Sequence, residues 1–138
     1  MIKHIFFDLD HTLWDFETNS TLTFRKIFKE CSLELQVDRF MMHYTPINHK
    51  YWKLYRENRI DQENLRYSRL KDTFKAIKFD ADDHLIHLLS QRYIDNLSNE
   101  TALLPYAKEI LEYLENKYKL HIITNGFNSI QYKKLRNS

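Results

Sequence analysis

The sequence predicts an α/β fold in which a small parallel sheet carries a large helical insert. Two short apolar runs, 2–9 and 120–124 (LHIIT), have the length and continuous hydrophobicity of parallel strands buried on both faces. Nearly everything between them shows helical spacing of apolar residues. From Pro105 to Tyr118, with Ile110, Leu111 and Leu114 in helical register, the chain reads as a helix feeding the second strand, half of a crossover, with Pro105 in its first turn.

The first strand ends in DLDHT, where Asp8 and Asp10 are spaced i, i+2 and Thr12 follows. Side chains two apart on a strand leave the same face, so both carboxylates project from its carboxy end, where open α/β sheets place their chemistry. Two crowded carboxylates are costly unless a cation or a shared proton relieves them. A metal-assisted site, with one carboxylate as nucleophile and the other as acid/base, satisfies that requirement.

The insert reads as four helical stretches. Leu22, Ile27, Phe28 and Cys31 mark a helix over 21–31, and an aromatic stretch over 40–55 is interrupted near Pro46. Asp61 caps a helix carrying Leu65, Leu70, Phe74 and Ile77; Asp80 or Asp82 caps another carrying Leu85, Leu88, Leu89, Tyr93 and Leu97. An insert of that size directly after a strand bearing a candidate site is a small domain or lid rather than a loop.

Composition narrows the function. With 43% hydrophobic, 14% aromatic and 29% charged residues, the 138-residue chain can bury a core, and its net charge of +2 leaves no footprint for nucleic acid or an anionic membrane. No apolar run approaches the ~20 residues of a membrane span. The lone Cys31 excludes an internal disulfide and fits a reducing cytosol, so a cytoplasmic location is expected. The single glycine, Gly126, leaves few places where the backbone takes positive φ cheaply, so its position carries weight.

Gly126 closes a second motif, Thr124-Asn125-Gly126, between the second strand and a final helix over 128–137. A hydroxyl at a strand end, a turn and a helix N-terminus together favour an anion. The two motifs therefore complement each other, with Asp8 and Asp10 handling nucleophile and proton while Thr124 and the amides after it hold phosphoryl oxygens.

Taken together, the motifs resemble those of the haloacid dehalogenase-like (HAD) hydrolase superfamily. DLDHTL at Asp8–Leu13 is similar to its first motif, hhhDxDxT, and IITNG at Ile122–Gly126 to its second. DLDHTLWDF, LLPYAKEILEYL and ITNGF look most like the branch that contains pyrimidine 5′-nucleotidases and related small-phosphate phosphatases. The resemblance implies a partial Rossmann-like parallel sheet from residues 1–16 and 98–138, with an α-helical cap at 17–97. It implies that Asp8 attacks phosphorus to form an aspartyl-phosphate, and that Asp10 protonates the leaving oxygen and then activates water. Mg²⁺ would sit on the Asp8 carboxylate and the Asp10 backbone carbonyl. Thr124, the amides of Leu9 and Asn125, and the turn at Gly126 would hold the phosphate of a small phosphorylated substrate. Dehalogenase chemistry, which also uses the first aspartate, usually does without the second, and Asp10 is present.

The family's third-motif lysine and fourth-motif acids lie well downstream of the second motif, and Glu115 is the last acid of this sequence. The segment after Gly126 reads as one amphipathic helix with Ile130 and Leu135 inward and Lys133, Lys134 and Arg136 outward. Helical rise would carry Lys133 and Lys134 roughly 10 Å from the helix start, away from the strand end. The chain alone is therefore expected to be nearly inactive, or to self-associate through an open sheet edge. The rival reading is a non-catalytic fragment or oligomerising remnant. Trp14, Phe16, Tyr51, Trp52 and Tyr55 are read as packing, Arg59 and Arg69 as helix-face charges, and the histidines, including His84/His87 and His43/His49, as lacking the partners of a zinc set.

Overall fold

A computed structural model describes residues 1–138. In chain order the elements are β1 (His4–Asp8), α1 (Phe16–Glu30), α2 (Val37–Arg56), α3 (Gln62–Ala76), α4 (Asp83–Leu97), α5 (Ala107–Glu115), β2 (Lys119–Ile123) and α6 (Asn128–Asn137). The α/β class holds. The chain divides into two compact units, one of Met1–Ser20 with Leu97–Ser138, the other of Thr21–Asn96.

In the first unit β1 and β2 pair in parallel, with His4 opposite Lys119 and Asp8 opposite Ile123. The pairing is as expected but the burial is not: neither strand is covered on both faces, and Phe6 and Ile123 are more than half exposed. A two-stranded sheet has only two neighbours to share, and each strand keeps one unpaired edge. Beyond β1 the chain folds back tightly. The Leu9 carbonyl accepts from the amides of Thr12, Leu13 and Trp14 (3.3, 2.9 and 2.9 Å), and His11 takes a left-handed conformation (φ 65°) to make the turn. Asn19 then brackets Ala102, donating to its carbonyl at 2.9 Å and accepting from its amide at 3.0 Å, which ties the segment before α5 to the first turns of α1. Pro105 lies outside α5, whose cap is Tyr106 in a left-handed conformation. Asp15 caps α1, accepting from the Thr18 amide at 3.2 Å, so that helix begins five residues earlier than its apolar spacing suggests.

The second unit is helical and built on an aromatic cluster. Phe24 stacks on Tyr93 with centroids 4.4 Å apart and meets Phe40 at 4.8 Å; Phe28 stands edge-on to Phe40 at 5.0 Å. Such pairs add about 0.5–1.5 kcal/mol each beyond area burial. Buried among them, Arg69 donates to Asn48 Oδ1 (3.1 Å) and lies over the Tyr93 ring at 5.2 Å; it is a core residue and not a solvated helix-face charge. Tyr51 bonds Asp72. The caps read from sequence are in place: Asp61 accepts from the Asn64 amide at 2.7 Å and Asp82 from the Leu85 amide at 2.8 Å.

Pro46 does not interrupt α2. Its ring removes the bond that would reach the Met42 carbonyl, but Met42 is exposed, so water can replace it. Phe40, Met41, Tyr44 and Asn48 keep one buried face running past the proline. The positive-φ positions are all residues with side chains, and Gly126 is not one of them. Three of them instead follow helices: Ser32, Asn58 and Lys78 turn left-handed after α1, α2 and α3. Each is followed by a six-to-one bond, Leu33 to Phe28, Arg59 to Leu54 and Phe79 to Phe74 (2.9, 2.9 and 3.0 Å). These are Schellman closures made without glycine.

Candidate active site

The sheet register puts Asp8 at the tip of β1 opposite Ile123, so the residues that follow each strand, Leu9-Asp10 and Thr124-Asn125, leave the sheet side by side. Asp8 is exposed and accepts from the Thr12 hydroxyl at 3.3 Å, which explains the Asp-x-x-x-Thr spacing as a local bond across the turn. Leu9 is buried and anchors that turn. Asn125 is exposed; Gly126 is half-buried and donates its amide to Thr124 Oγ1 at 3.3 Å.

Asp10 and Thr124 are joined by a residue that sequence reasoning missed. The side-chain amide of Gln131, on α6, donates from Nε2 to Asp10 Oδ2 at 3.0 Å and to Thr124 Oγ1 at 2.6 Å. The other carboxylate oxygen, Oδ1, accepts from Lys134 Nζ at 2.9 Å. Lys134 is thus not outward: it is 3% exposed, and its ammonium lies 4.3 Å from the Trp14 ring centroid, while Leu135, expected inward, is exposed. The inward face of α6 is Ile130, Gln131 and Lys134, an i, i+1, i+4 set. A strictly apolar pattern could not find it, because two of its three members are polar and are drawn in by one carboxylate. Helical rise does not carry Lys134 out of reach, since its long side chain brings Nζ to 2.9 Å from Asp10 Oδ1. Burial lowers the Lys134 pKa below its ordinary value, against the opposing pull of Asp10.

The role of Gly126 is also different from the one its sequence position suggests. A Cβ there would stand 2.4 Å from Gln131 Cδ and Nε2, so the glycine is needed for close approach and not for its φ.

A hard divalent cation fits part of this arrangement. The exposed Asp8 carboxylate is one oxygen donor. The Asp10 carbonyl is a second, since the bridge to Trp14 runs through the Leu9 carbonyl and the His11 amide and leaves it outside the ladder. Mg²⁺ takes such oxygens and keeps several waters. The Asp10 carboxylate is held by Lys134 and Gln131 and is not part of that donor set.

A small parallel sheet bearing two carboxylates and a hydroxyl at one end, with a helical unit inserted after the first strand, defines the class as an α/β protein with its candidate site at the carboxy ends of the strands. The chain belongs to the haloacid dehalogenase-like hydrolase family, whose model matches residues 2–138. It is 29% identical over 136 residues to the HAD-hydrolase YfnB of Bacillus subtilis, and 30% identical over 137 residues to the pyrimidine 5′-nucleotidase PynA of Streptococcus pneumoniae. Each alignment covers 99% of this chain and 56% of the relative. The chain thus spans little more than half the length of these relatives. The crystal structure of YfnB, bound to magnesium, superposes with a TM-score of 0.85 at 28% identity, covering 99% of this chain and 60% of that one. An L-2-haloacid dehalogenase from Xanthobacter autotrophicus superposes at 0.70 with 20% identity, a likeness of fold alone, again covering 99% of this chain and 52% of that one.

Proposed function

We propose that this chain carries the nucleophile-bearing part of a Mg²⁺-dependent phosphomonoesterase acting on nucleotides or small sugar phosphates through an aspartyl-phosphate, with the helical unit as the substrate-selecting cap. The observation that supports it is the convergence of Asp8, Asp10 and Thr124 at one end of the parallel pair, with Asp10 and Thr124 bound to a single amide. Asp8 is the exposed carboxylate, free to attack phosphorus. As its oxygen bonds to phosphorus, the ester oxygen leaves with a proton delivered by Asp10, and Asp10 then takes a proton from the water that cleaves the acyl phosphate. In the resting arrangement both Asp10 oxygens accept hydrogen bonds, which suits the proton-accepting half of that cycle; for the first half Asp10 must take up a proton beforehand, which a phosphate ester arriving as its monoanion supplies. Mg²⁺ on the Asp8 carboxylate and Asp10 carbonyl would offset the charge of the incoming phosphate. The magnesium-bound YfnB structure and the nucleotidase name of PynA favour the same reading.

Hydrolysis of p-nitrophenyl phosphate with Mg²⁺ tests it. Asp8→Asn is expected to abolish turnover and Asp10→Asn to lower it about 10²–10⁴-fold; turnover that survives Asp8→Asn refutes the assignment. The second reading, a non-catalytic unit that self-associates, draws on the two unpaired strand edges. It is favoured by equal, negligible rates from both forms together with an oligomer in solution.

A further inference from the structure

We propose that Gln131 is a positioning residue that makes the Thr124 hydroxyl a hydrogen-bond donor to the phosphoryl group, and that position 126 is glycine so that the Gln131 amide can reach between Thr124 and Asp10. The inference rests on the phosphate reading above and extends it to a side chain outside both sequence motifs.

Hydrogen-bond polarity at Thr124 decides which way its proton points. A threonine hydroxyl has one proton to give and two lone pairs to fill. Both lone pairs of Thr124 Oγ1 face N–H donors, Gln131 Nε2 at 2.6 Å and the Gly126 amide at 3.3 Å. What is left is the O–H, which must point at a third atom and donate. The orientation of the Gln131 amide is set by its other partner: an ionised carboxylate only accepts, so the NH₂ end faces Asp10 Oδ2 at 3.0 Å. Gln131 is 4% exposed, so its amide is largely withdrawn from water and is satisfied by these two partners. Without this amide one lone pair of Thr124 Oγ1 is left unfilled, and the hydroxyl is free to turn that lone pair outward, where it repels an anionic oxygen. Gly126 completes the device, because any Cβ there would meet the amide at 2.4 Å.

The test uses the 138-residue chain with Mg²⁺ and inorganic phosphate as the probe, titrated calorimetrically into the wild type, Gln131→Met, Gly126→Ala, Thr124→Val and the Gln131→Met/Thr124→Val double variant. Gln131→Met and Gly126→Ala are each expected to weaken phosphate binding about 10-fold, the scale of one charge-assisted hydrogen bond. In the Thr124→Val background Gln131→Met is expected to add less than about twofold, since its effect passes through the missing hydroxyl. Gly126→Ala guards against a folding defect, because its Cβ meets only the tip of a flexible side chain. Unchanged binding in both single variants overturns the proposal, as does a fully additive loss in the double variant, which would mark Gln131 as a fold contact only. A wild type that binds no phosphate removes the phosphate reading itself, and this inference with it.

Discussion

Asp10 and Lys134 form an ion pair whose two halves are unequally buried, and that inequality predicts unequal costs of breaking it. The charges are 2.9 Å apart, with Lys134 3% exposed and Asp10 22% exposed. At an effective dielectric of about 20 their attraction is roughly 6 kcal/mol. Yet the Lys134 pKa lies below its ordinary value, with burial the leading cause, so the desolvation of the ammonium exceeds the attraction. Replacing it with an apolar side chain of similar length removes both. Lys134→Met is expected to stay within about 1 kcal/mol of wild type, because Asp10 keeps Gln131 and some solvent. Asp10→Leu instead strands the ammonium, leaving it the faces of Trp14 and Phe16. That costs about 3–5 kcal/mol, bounded near 5 kcal/mol at pH 7 by the alternative of deprotonating a lysine of ordinary pKa 10.5. Urea unfolding followed by Trp14 fluorescence in a Trp52→Phe background measures both, with equal slopes as the control. The pH dependence follows from the direction of the shift. Below the lowered folded pKa both states hold the proton and the penalty is complete. Between that value and 10.5 the unfolded chain holds more protons, so stability rises with pH, and above 10.5 the penalty is gone. The difference between wild type and Lys134→Met should therefore move in favour of wild type across that window. A Lys134→Met variant as damaged as Asp10→Leu, or a flat difference with pH, refutes the reasoning.

Two further outcomes are expected in the helical unit. The Tyr51 phenol, half-buried and bonded to Asp72, is pushed up to about 12, burial being the larger cause; its contribution to stability is complete below pH 10 and is lost as pH rises through 12. The difference in phenolate absorbance between wild type and Tyr51→Phe should titrate near 12, and a midpoint near 10 contradicts the bond. Lys78 closes α3 at φ 56°, a conformation costing a side-chain-bearing residue about 1–2 kcal/mol. Allowing for the extra freedom glycine has when unfolded, Lys78→Gly should stabilise the chain by about 0.5–1 kcal/mol in thermal or urea unfolding, and a loss of stability would mean that the lysine side chain matters more than the backbone.

The parts of the fold that depend on neighbouring residues were legible in the sequence. Asp61 and Asp82 cap helices through bonds to amides three residues on, and the apolar runs around Phe6 and Ile122 pair in parallel as their composition implies. Pro46 misled because a locally unfavourable residue was outweighed by burial on either side of it, on a face that only assembled helices possess. Burial of the strands was over-read because a continuous apolar run states what a strand could bury, not how many neighbours cover it.

The site divides along the same line. Asp8, Asp10 and Thr124 could be read in sequence because each lies within two residues of a strand end, where the period of two and the turn decide which way a side chain goes. Gln131 and Lys134 could not, since their burial on α6 is imposed by a carboxylate more than 120 residues away, which outweighs the preference of an amide and an ammonium for water. Sequence alone therefore determined the chemistry on offer and the strands that carry it. The tertiary structure decided which polar groups would share that chemistry, because only folding brings their opposite charges and unfilled hydrogen bonds within reach of one another.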